Sequence, residues 1–465
     1  MLQPLENIKR VYFLGIGGIG MSALAQFFLQ YGAKVFGYDL TPTPLTDQLI
    51  KMGAVIHFTE QDQLIPDHID LVVLTPAIPK EHKELLWFQK QNIPILKRAE
   101  VLGLICQSFP TIAVAGTHGK TTTTSMVTHF LNSIHHPTLA FIGGISKNLN
   151  SNFLYTNHFQ TVVVEADEFD RSFLTLYPKI GIITSVDADH LDIYGEKEQL
   201  ISSFQAFANQ IDRNGTLIIA QKIAHLIDHP NKITYGVDET ADFFIKIAEM
   251  EPENTHFAIC KNTQSETPVC FHNLVLKAPG VHNLLNSLAA FLAVKELLKL
   301  NIAPDHVASC NMIFDSFATW AGVARRFDYR IVQEDLIYID DYAHHPEEIK
   351  AFLQTIKTIY PQKKATGIFQ PHLYSRTRDF AEEFAQALNL LDEIILLEIY
   401  PARELPIQGI DSHYLLQMIP NPNKKVVANN ELIPYLKQQK PELLLTIGAG
   451  NIDQFVPLIE NEFHK

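Results

Sequence analysis

A short apolar run followed by an amphipathic stretch is the feature that most constrains the fold, and it recurs in three separate blocks of the chain. In the first block, Val11–Gly15 has the pattern of a strand and Ile19–Tyr31 that of a helix. The second block opens with an apolar run at Thr111–Ala115, and the third with one at Leu336–Asp341. This order is typical of βαβ units. The sequence therefore predicts an α/β fold with a mostly parallel sheet in each block.

The length of 465 residues suits about three domains, since a domain averages roughly 150 residues. Changes of pattern near 107–110 and 320–324 predict domains at 1–107, 108–322 and 323–465. Between 242 and 277 the apolar runs become shorter and alternate with polar residues, which predicts an antiparallel addition to the middle block.

The charge balance is acidic, because 37 Lys and Arg side chains stand against 51 Asp and Glu, a net charge of −14. A chain with an excess of negative charge is poorly suited to binding the negatively charged backbone of a nucleic acid over a wide surface, so no nucleic-acid partner is expected. The four cysteines, Cys106, Cys260, Cys270 and Cys310, form no CxxC pair. This spacing predicts reduced thiols, a cytoplasmic location and no zinc finger.

One uncharged stretch, Val11–Ala33, is long enough for a membrane span. Four glycines fall between Gly15 and Gly20, however, and they suit a tight turn better than a lipid-facing helix. We therefore expect no membrane insertion.

The same glycines form the first candidate site. Gly15-Ile-Gly17-Gly18-Ile-Gly20 fits G-x-G-x-x-G after a strand and before a helix, where free N–H groups favour a diphosphate. Asp39 ends the next strand, at the distance expected of a ribose-binding acid. The motif does not distinguish NAD from another diphosphate-bearing nucleotide, and the alternative is a turn that only packs helix on strand.

The second candidate site is a phosphate loop, Gly116-Thr-His-Gly119-Lys120-Thr121-Thr122, between a strand and a helix. Its amides would cradle phosphates, Lys120 would reach the β and γ groups, and the Thr121 hydroxyl would bind Mg²⁺. The loop departs from the strict P-loop pattern, because Val114 stands where the first glycine should be.

Two clusters of acids follow later strands of this block. The first comprises Glu165, Asp167, Glu168 and Asp170, and the second Asp187, Asp189, His190 and Asp192. Carboxylates and an imidazole at strand ends beside a phosphate loop are suitable ligands for the metal of a magnesium nucleotide. Either cluster alone would equally suit solvated acids, but together with the loop they favour metal binding.

The third block carries paired acids and histidines at a predicted strand end, Asp340-Asp341-Tyr342-Ala-His344-His345. Adjacent histidines on one turn rarely chelate one ion, so a dedicated metal site is not favoured. Basic residues accompany them: Arg325, Arg326, His372, Arg376 and Arg378. Arginine forks bind carboxylates and phosphates bidentately, although each of these arginines would also suit a surface ion pair.

In this order the motifs resemble the Mur ligase family, ATP-dependent enzymes that form amide bonds in peptidoglycan synthesis. The segments that match, in chain order, are Gly116–Thr122, Glu165–Glu168, Asp189–Asp192, Gly280–Asn286, Arg325–Phe327 and Asp340–Pro346. The resemblance spans essentially the whole chain. It implies Rossmann-like parallel sheets in the N- and C-terminal domains, flanking a P-loop-type mononucleotide-binding ATPase domain.

The resemblance also implies a role for each matched residue. The catalytic set would be Lys120, His190, His344 and Arg376. ATP would be bound by Gly116, Thr117, His118, Gly119, Lys120, Thr121, Thr122, Asn283, Arg326, Asp340 and Tyr342. The UDP-sugar would be bound by Gly17, Gly18, Ile19, Gly20, Met21, Ser22, Asp39, Thr75, Pro76, Ala77 and Ile78. The amino acid would be bound by His344, His372 and Arg376, and the metal by Thr121, Glu165 and His190.

Within the family, the Gly15–Ser22, Phe369–Thr377 and Tyr400–Gly409 segments are most similar to members that join L-alanine to the lactyl carboxylate of UDP-N-acetylmuramate through an acyl phosphate. This implies ATP and Mg²⁺ as cofactors, with Mn²⁺ as an alternative metal, and a monomer or weak homodimer. Three alternatives stay open from the sequence. They are a ligase that recycles a murein tripeptide onto the same nucleotide sugar, an NAD-dependent dehydrogenase, and a nucleotide-sugar sensor that binds ATP without forming an amide.

Overall fold

The computed structural model describes residues 5, 7–187, 197–263, 267–300, 307–402 and 404–464. These residues form three β-sheets with helices between the strands, so the predicted α/β class is confirmed. They divide into two compact units. The first unit comprises 1–246, 257–275 and 285–321, and the second comprises 247–256, 276–284 and 322–465.

The first sheet belongs to the N-terminal block. Its strands are β1 (Arg10–Leu14), β2 (Lys34–Tyr38), β3 (Val55–His57), β4 (Leu71–Leu74) and β5 (Ile95–Lys97). Its helices are α1 (Ile19–Gln30), α2 (Pro44–Lys51), α3 (Lys83–Lys90) and α4 (Arg98–Gln107). The strand order is β3-β2-β1-β4-β5, and every neighbouring pair is parallel. The carboxyl ends of all five strands therefore lie along one edge.

The second sheet is the largest. Its strands are β6 (Thr111–Ala115), β7 (Thr138–Ser146), β8 (Ser151–Tyr155), β9 (Thr161–Glu165), β10 (Ile180–Ile183), β11 (Thr216–Ala220), β12 (Lys232–Gly236), β13 (Phe243–Met250), β14 (Thr255–Lys261) and β15 (Val269–Leu276). The helices of this block are α5 (Lys120–Ser133), α6 (Lys197–Asn209), α7 (Val281–Leu298) and α8 (Val307–Phe317). The strand order is β15-β14-β13-β12-β11-β10-β6-β9-β7-β8. The fully buried β6 lies between β10 and β9 and is parallel to both, so the residues after these three strands meet at one edge.

The third sheet lies in the second unit. Its strands are β16 (Asp328–Val332), β17 (Ile337–Asp341), β18 (Ala365–Phe369), β19 (Glu393–Leu396), β20 (Lys424–Val426) and β21 (Leu443–Ile447). Its helices are α9 (Pro346–Ile359), α10 (Tyr374–Asp379), α11 (Ala381–Leu388), α12 (Ser412–Met418), α13 (Leu432–Gln439) and α14 (Phe455–Phe463). The order is β16-β17-β21-β18-β19-β20, and only the edge strand β16 is antiparallel to its neighbour among the described pairs.

Local sequence explains where the helix after β17 begins. Pro346 occupies its first turn, where a missing N–H costs nothing and the fixed φ already suits a helix. The Glu348 carboxylate accepts the His344 N–H at 3.1 Å and adds negative charge to the first turn, where the helix dipole favours it. The apolar side chains of α9, including Ile349, Phe352 and Leu353, then pack into the core of this sheet.

The expectation of four reduced thiols is wrong for two of them. Cys260 on β14 and Cys270 on β15 form a disulfide, because the adjacent strands bring their Cα atoms to 4.0 Å. Their separation of ten residues gives no sequence signal for this pairing. Cys106 and Cys310 are free, buried thiols.

Across the described residues, no helix combines the length and apolar character needed to cross a membrane. The apolar Val11–Ala33 stretch instead forms β1, the glycine turn and α1, whose side chains pack into the core of the first unit.

Candidate active site

The phosphate loop follows β6 and requires glycine at two positions. Gly116 has φ +134° and Gly119 has φ +82°, both in the region that L side chains rarely adopt. A Cβ on Gly116 would lie 2.1 Å from Thr184 Oγ1, and one on Gly119 would lie 2.6 Å from Asn286 Oδ1. Helix α5 begins directly after Gly119 with no acid in its first turn, which leaves its N–H groups suited to an anion.

Residues after β10 hold the loop in place. The Ser185 hydroxyl accepts the His118 N–H at 2.9 Å and lies 2.8 Å from the Thr117 hydroxyl. The Thr117 hydroxyl also accepts the Asp187 N–H at 3.0 Å. Ser185 had no predicted role. The signal was available, however, because a hydroxyl directly after the strand paired with β6 must lie beside the loop.

Lys120 is bound inside the loop in this structure. Its Nζ donates to the Gly116 carbonyl at 2.7 Å and to Glu168 Oε1 at 2.9 Å. The Glu168 side chain is fully buried. Burial alone lowers the pKa of Lys120, but the carboxylates of Glu168 and Asp167 outweigh it and raise the net pKa. The lysine therefore carries a permanent positive charge within reach of any phosphate held by the loop.

Two of the three predicted metal ligands lie together. The Thr121 hydroxyl donates to Glu165 Oε2 at 2.9 Å, and the Gly143 N–H donates to the same oxygen at 3.1 Å. A Cβ on Gly143 would lie 2.2 Å from this oxygen, so a side chain there would have to displace the Glu165 carboxylate. No sequence signal identified Gly143, since it requires knowing that β7 lies beside β9. The third predicted ligand, His190, lies outside the described residues.

The donor set fits Mg²⁺. The hydroxyl and carboxylate oxygens of Thr121 and Glu165 are hard ligands, and Mg²⁺ in nucleotide sites takes only one or two protein carboxylates beside phosphates and water. In the described part of the chain, no three His, Cys, Asp or Glu side chains are arranged as a metal cluster.

The glycine turn of the first sheet is arranged differently. Gly15 has φ +86°, and a Cβ there would lie 2.5 Å from Thr75 Cγ2, so this end of the turn lies against the Thr75–Ile78 segment. Asp39 is part of the turn itself, because its Oδ2 accepts the Gly17 N–H at 2.7 Å. Helix α1 begins after Gly18 with no acid in its first turn.

Met21 and Ser22, also predicted to bind the UDP-sugar, are buried. The Ser22 hydroxyl donates to the Ile19 carbonyl at 3.0 Å and accepts from Asn152 Nδ2 at 3.0 Å. Within the first unit, Ser22 therefore links α1 to β8, while Gly15 at the start of the glycine turn lies next to Thr75 and Ile78.

The second unit contains the remaining predicted residues. Asp340 Oδ2 accepts from Arg325 Nε at 3.0 Å, and its Oδ1 accepts from the Thr446 hydroxyl at 2.7 Å. Asp341 accepts the N–H groups of Phe327 at 2.7 Å and Ala343 at 2.8 Å. Burial raises the pKa of Asp341 to about 6, against the opposing effects of nearby Arg326 and of these hydrogen bonds.

A row of rings leads away from this strand end. The Arg326 guanidinium lies 4.9 Å from the Tyr342 ring centre, and the Tyr342 and His344 rings are 5.4 Å apart. The His344 and His372 rings are 6.1 Å apart. Burial, together with the charge of Arg376, lowers the pKa of His372 to about 4, so this imidazole is neutral at pH 7. The structure thus brings His344, His372 and Arg376 close together.

Asn283, predicted to contact ATP, lies at the start of α7 and is buried. Its side-chain amide donates to the Pro279 carbonyl at 2.7 Å. The neighbouring Asn286, which the sequence marked only as part of a motif, lies against the phosphate loop through Gly119.

Comparison with known proteins gives consistent matches over the whole chain. Three family models match in sequence order: the Mur ligase family catalytic domain over residues 10–110, the Mur ligase middle domain over 114–294, and the Mur ligase glutamate ligase domain over 325–450. The UDP-N-acetylmuramate–L-alanine ligase of Flavobacterium johnsoniae is 44% identical, with 99% of each chain covered. That of Flavobacterium psychrophilum is 45% identical over the same share.

Solved structures match as well. The crystal structure of UDP-N-acetylmuramate–alanine ligase from Thermotoga maritima aligns with a TM-score of 0.80 at 28% identity, covering 98% of this chain and 99% of that one. A murein peptide ligase from Psychrobacter arcticus aligns with a TM-score of 0.69 at 20% identity, covering 98% of each chain, which shows a shared fold.

Proposed function

Because the chain belongs to the Mur ligase family, we propose that it joins L-alanine to the lactyl carboxylate of UDP-N-acetylmuramate, with ATP converted to ADP and phosphate. This reaction builds the peptidoglycan precursor on which cell shape and division depend. The observation that carries the proposal is the phosphate loop, in which partly buried Lys120 lies beside the Thr121–Glu165 pair. The proposed specificity for L-alanine rests on two relatives that are UDP-N-acetylmuramate–L-alanine ligases. They are 44–45% identical to this chain over nearly its full length.

The chemistry explains why such a site needs ATP. A carboxylate is a poor acylating agent, so its oxygen first attacks the γ-phosphorus of ATP, forming an acyl phosphate as ADP leaves. The amine of L-alanine then attacks the acyl carbon, and the tetrahedral intermediate expels phosphate as the amide forms. Lys120 and the loop amides stabilise the negative charge on the phosphoryl group during its transfer.

We assign Mg²⁺, or Mn²⁺ in its place, to Thr121, Glu165 and His190. The hydrogen bond between Thr121 and Glu165 supports the first two, since both oxygens already converge beside the phosphate loop. The bound metal would neutralise phosphate charge and orient the γ group.

ATP would contact the Gly116–Thr122 loop of the first unit, and the residues assigned to it in the second unit are Asn283, Arg326, Asp340 and Tyr342. The support for the loop is its geometry, and for the other four it is their match to the family motifs. Asp340 would reach the nucleotide by exchanging its bond to Arg325 for one to a ribose hydroxyl. The UDP-sugar would lie at Gly17–Ser22, Asp39 and Thr75–Ile78, supported by the turn that faces Thr75.

The amino acid would bind at His344, His372 and Arg376. The attacking amine must be neutral, so a base must take its proton. We assign this role to His344, whose ring lies between those of Tyr342 and His372. His372 is the weaker candidate, because its lowered pKa of about 4 makes it a poor base.

We also propose the domain division 1–107, 108–322 and 323–465, with the last domain closing over ATP. The family-model boundaries, which fall between 110 and 114 and between 294 and 325, support it. The enzyme would act in the cytoplasm, where ATP and nucleotide sugars are made, as a monomer or weak homodimer.

The test is phosphate release from Mg-ATP with UDP-N-acetylmuramate, with and without L-alanine, alongside a reaction that contains L-Ala–D-Glu–diaminopimelate instead. We expect release that requires both the sugar nucleotide and L-alanine, and a product heavier by one alanyl residue. Turnover only with the tripeptide would reassign the chain to the recycling activity. Binding of both nucleotides without turnover would indicate a sensor.

A further inference from the structure

Arg98 is a basic side chain with no role predicted from the sequence, and it lies against the first glycine turn. It is the first residue of α4. A Cβ on Gly20 would lie 2.9 Å from Arg98 Nη1 and 3.1 Å from its Cδ. Gly20 therefore lacks a side chain where the arginine passes over the first turn of α1.

The other end of the guanidinium faces the acids after β9. Arg98 Nη2 lies 3.8 Å from Asp167 Oδ2. Asp167 is two residues beyond Glu165, which accepts from Thr121 of the phosphate loop. Arg98 thus lies between the predicted UDP-sugar site and the predicted phosphate site, both within the first unit.

The start of α4 is fixed in this position. The Thr175 hydroxyl donates to the Ala99 carbonyl at 2.9 Å. A Cβ on Gly103 would lie 2.7 Å from the Thr175 carbonyl oxygen, so α4 is in close contact with the 3₁₀ helix Phe169–Thr175. The side chain of Arg98 is 26% exposed, which leaves its guanidinium partly open to solvent and to a ligand.

On the side of Arg98 that faces α1, the charges favour an anion. The N-terminus of α1 carries a partial positive charge, and its first turn contains no acid to balance it. On the opposite side, Glu165, Asp167 and Glu168 would repel an anionic substrate that approached the phosphate loop. Lys120 is already bound to Glu168 and is assigned to ATP. A carboxylate that must meet the γ-phosphate therefore needs a further cation at this point.

We propose that Arg98 binds the lactyl carboxylate of UDP-N-acetylmuramate and holds it at the edge of the phosphate loop. The inference rests on the proposed function and deepens it. The planar guanidinium matches a carboxylate bidentately, so Arg98 selects nucleotide sugars that carry this group over those that lack it.

The test compares two ligands that differ at the lactyl group. The dissociation constants of UDP-N-acetylmuramate and UDP-N-acetylglucosamine are measured by calorimetry without ATP, for the wild type, Arg98→Gln, Arg98→Lys and Arg213→Gln. Arg213 is an exposed arginine of the same unit and serves as the matched control. Arg98→Gln should weaken UDP-N-acetylmuramate binding by about 10- to 100-fold and leave UDP-N-acetylglucosamine within about twofold.

The remaining variants sharpen the result. Arg98→Lys keeps the charge but loses the bidentate geometry, so it should fall between wild type and Arg98→Gln. In turnover, Arg98→Gln should raise the KM for UDP-N-acetylmuramate and leave that for ATP unchanged. Arg213→Gln should behave as the wild type in both assays.

Several results would overturn the inference. An equal loss for both ligands would place Arg98 on the shared diphosphate. No loss for either, with a lowered thermal midpoint, would make Arg98 a structural link between Gly20 and Asp167. If the proposed function itself fails, the wild type will not bind UDP-N-acetylmuramate, which is distinguishable from wild-type binding that Arg98→Gln leaves intact.

Discussion

Acids follow a buried strand in two regions of this chain, and the structure uses them in opposite ways. Glu165, the last residue of β9, accepts from the Thr121 hydroxyl of the phosphate loop. Glu168, three residues later, accepts from the Lys120 ammonium. At the end of β17, Asp341 instead accepts two backbone N–H groups, from Phe327 and Ala343.

The two clusters differ in whether a bound ligand can replace the hydrogen-bond donors to their acids. A hydroxyl and an ammonium are mobile side-chain groups that also bind metals and phosphates, so a nucleotide can take over the contacts of the first cluster. Backbone N–H groups are fixed in place, so the contacts of Asp341 hold the chain around Tyr342 and cannot be given to a ligand without leaving a buried group unsatisfied. Equal numbers of acids at strand ends can therefore mean either a ligand site or a structural support.

Replacing Lys120 by Met should give the largest effect. Amide formation should fall by about 1000-fold, because the lysine is the cation that stabilises the transferring phosphoryl group. The variant should also lose about 3 kcal/mol or more of stability, since the side chain of Glu168 is fully buried and would lose its cationic partner. Product formation by mass spectrometry and the thermal midpoint measure the two effects.

A second variant separates stability from catalysis in this first cluster. In Lys120→Met/Glu168→Gln the buried charge is removed with its partner, so the thermal midpoint should recover towards that of the wild type while activity stays low. Near-normal amide formation by Lys120→Met would show that the loop is not the phosphate site.

Gly143→Ala tests the same cluster through its neighbour. The added methyl group would lie 2.2 Å from Glu165 Oε2 and must displace the carboxylate. The Mg²⁺ concentration needed for half-maximal rate should rise by about 10- to 100-fold, as for other groups that orient a metal ligand. The control is Gly236→Ala at the end of β12, where the nearest atom would be 3.3 Å away. If both variants keep the wild-type Mg²⁺ requirement, Glu165 is not a metal ligand.

The fold and both glycine turns could be predicted from the sequence because their signals are local. Apolar runs, amphipathic helices and the Gly-Lys-Thr turn each lie within about 15 residues, and the order of the three blocks follows directly. The helix start at Pro346 also depends only on its immediate neighbours.

The partners of the acids could not be predicted, because they are set by the order of strands in the sheet. Gly143 contacts Glu165 because β7 lies beside β9 in the sheet. In the same way, Cys260 bonds to Cys270 because β14 lies beside β15. Arg98 belongs to the first block but reaches Asp167 of the second. No spacing in the sequence reports such a contact.

The second cluster gives the smallest expected effect, and it tests the structural role of Asp341. Its pKa of about 6 lies above the ordinary value of 3.8, so between about pH 4 and pH 6 the folded state binds more protons than the unfolded state. This contribution to stability must fall as pH rises through that window, by at most about 1.4 kcal/mol per pH unit. His372 acts in the opposite direction, because its lowered pKa of about 4 makes the unfolded state bind more protons.

The measurement is therefore the difference in thermal midpoint between the wild type and Asp341→Asn from pH 4.5 to 6.5, in which the effect of His372 cancels. The amide of the variant would offer one acceptor oxygen fewer at every pH, which gives a constant offset. The charge of Asp341, in contrast, makes the wild-type advantage shrink as pH rises. A difference that stays constant over this range would mean that Asp341 is ionised throughout, because Arg326 and the two N–H donors outweigh the effect of its burial.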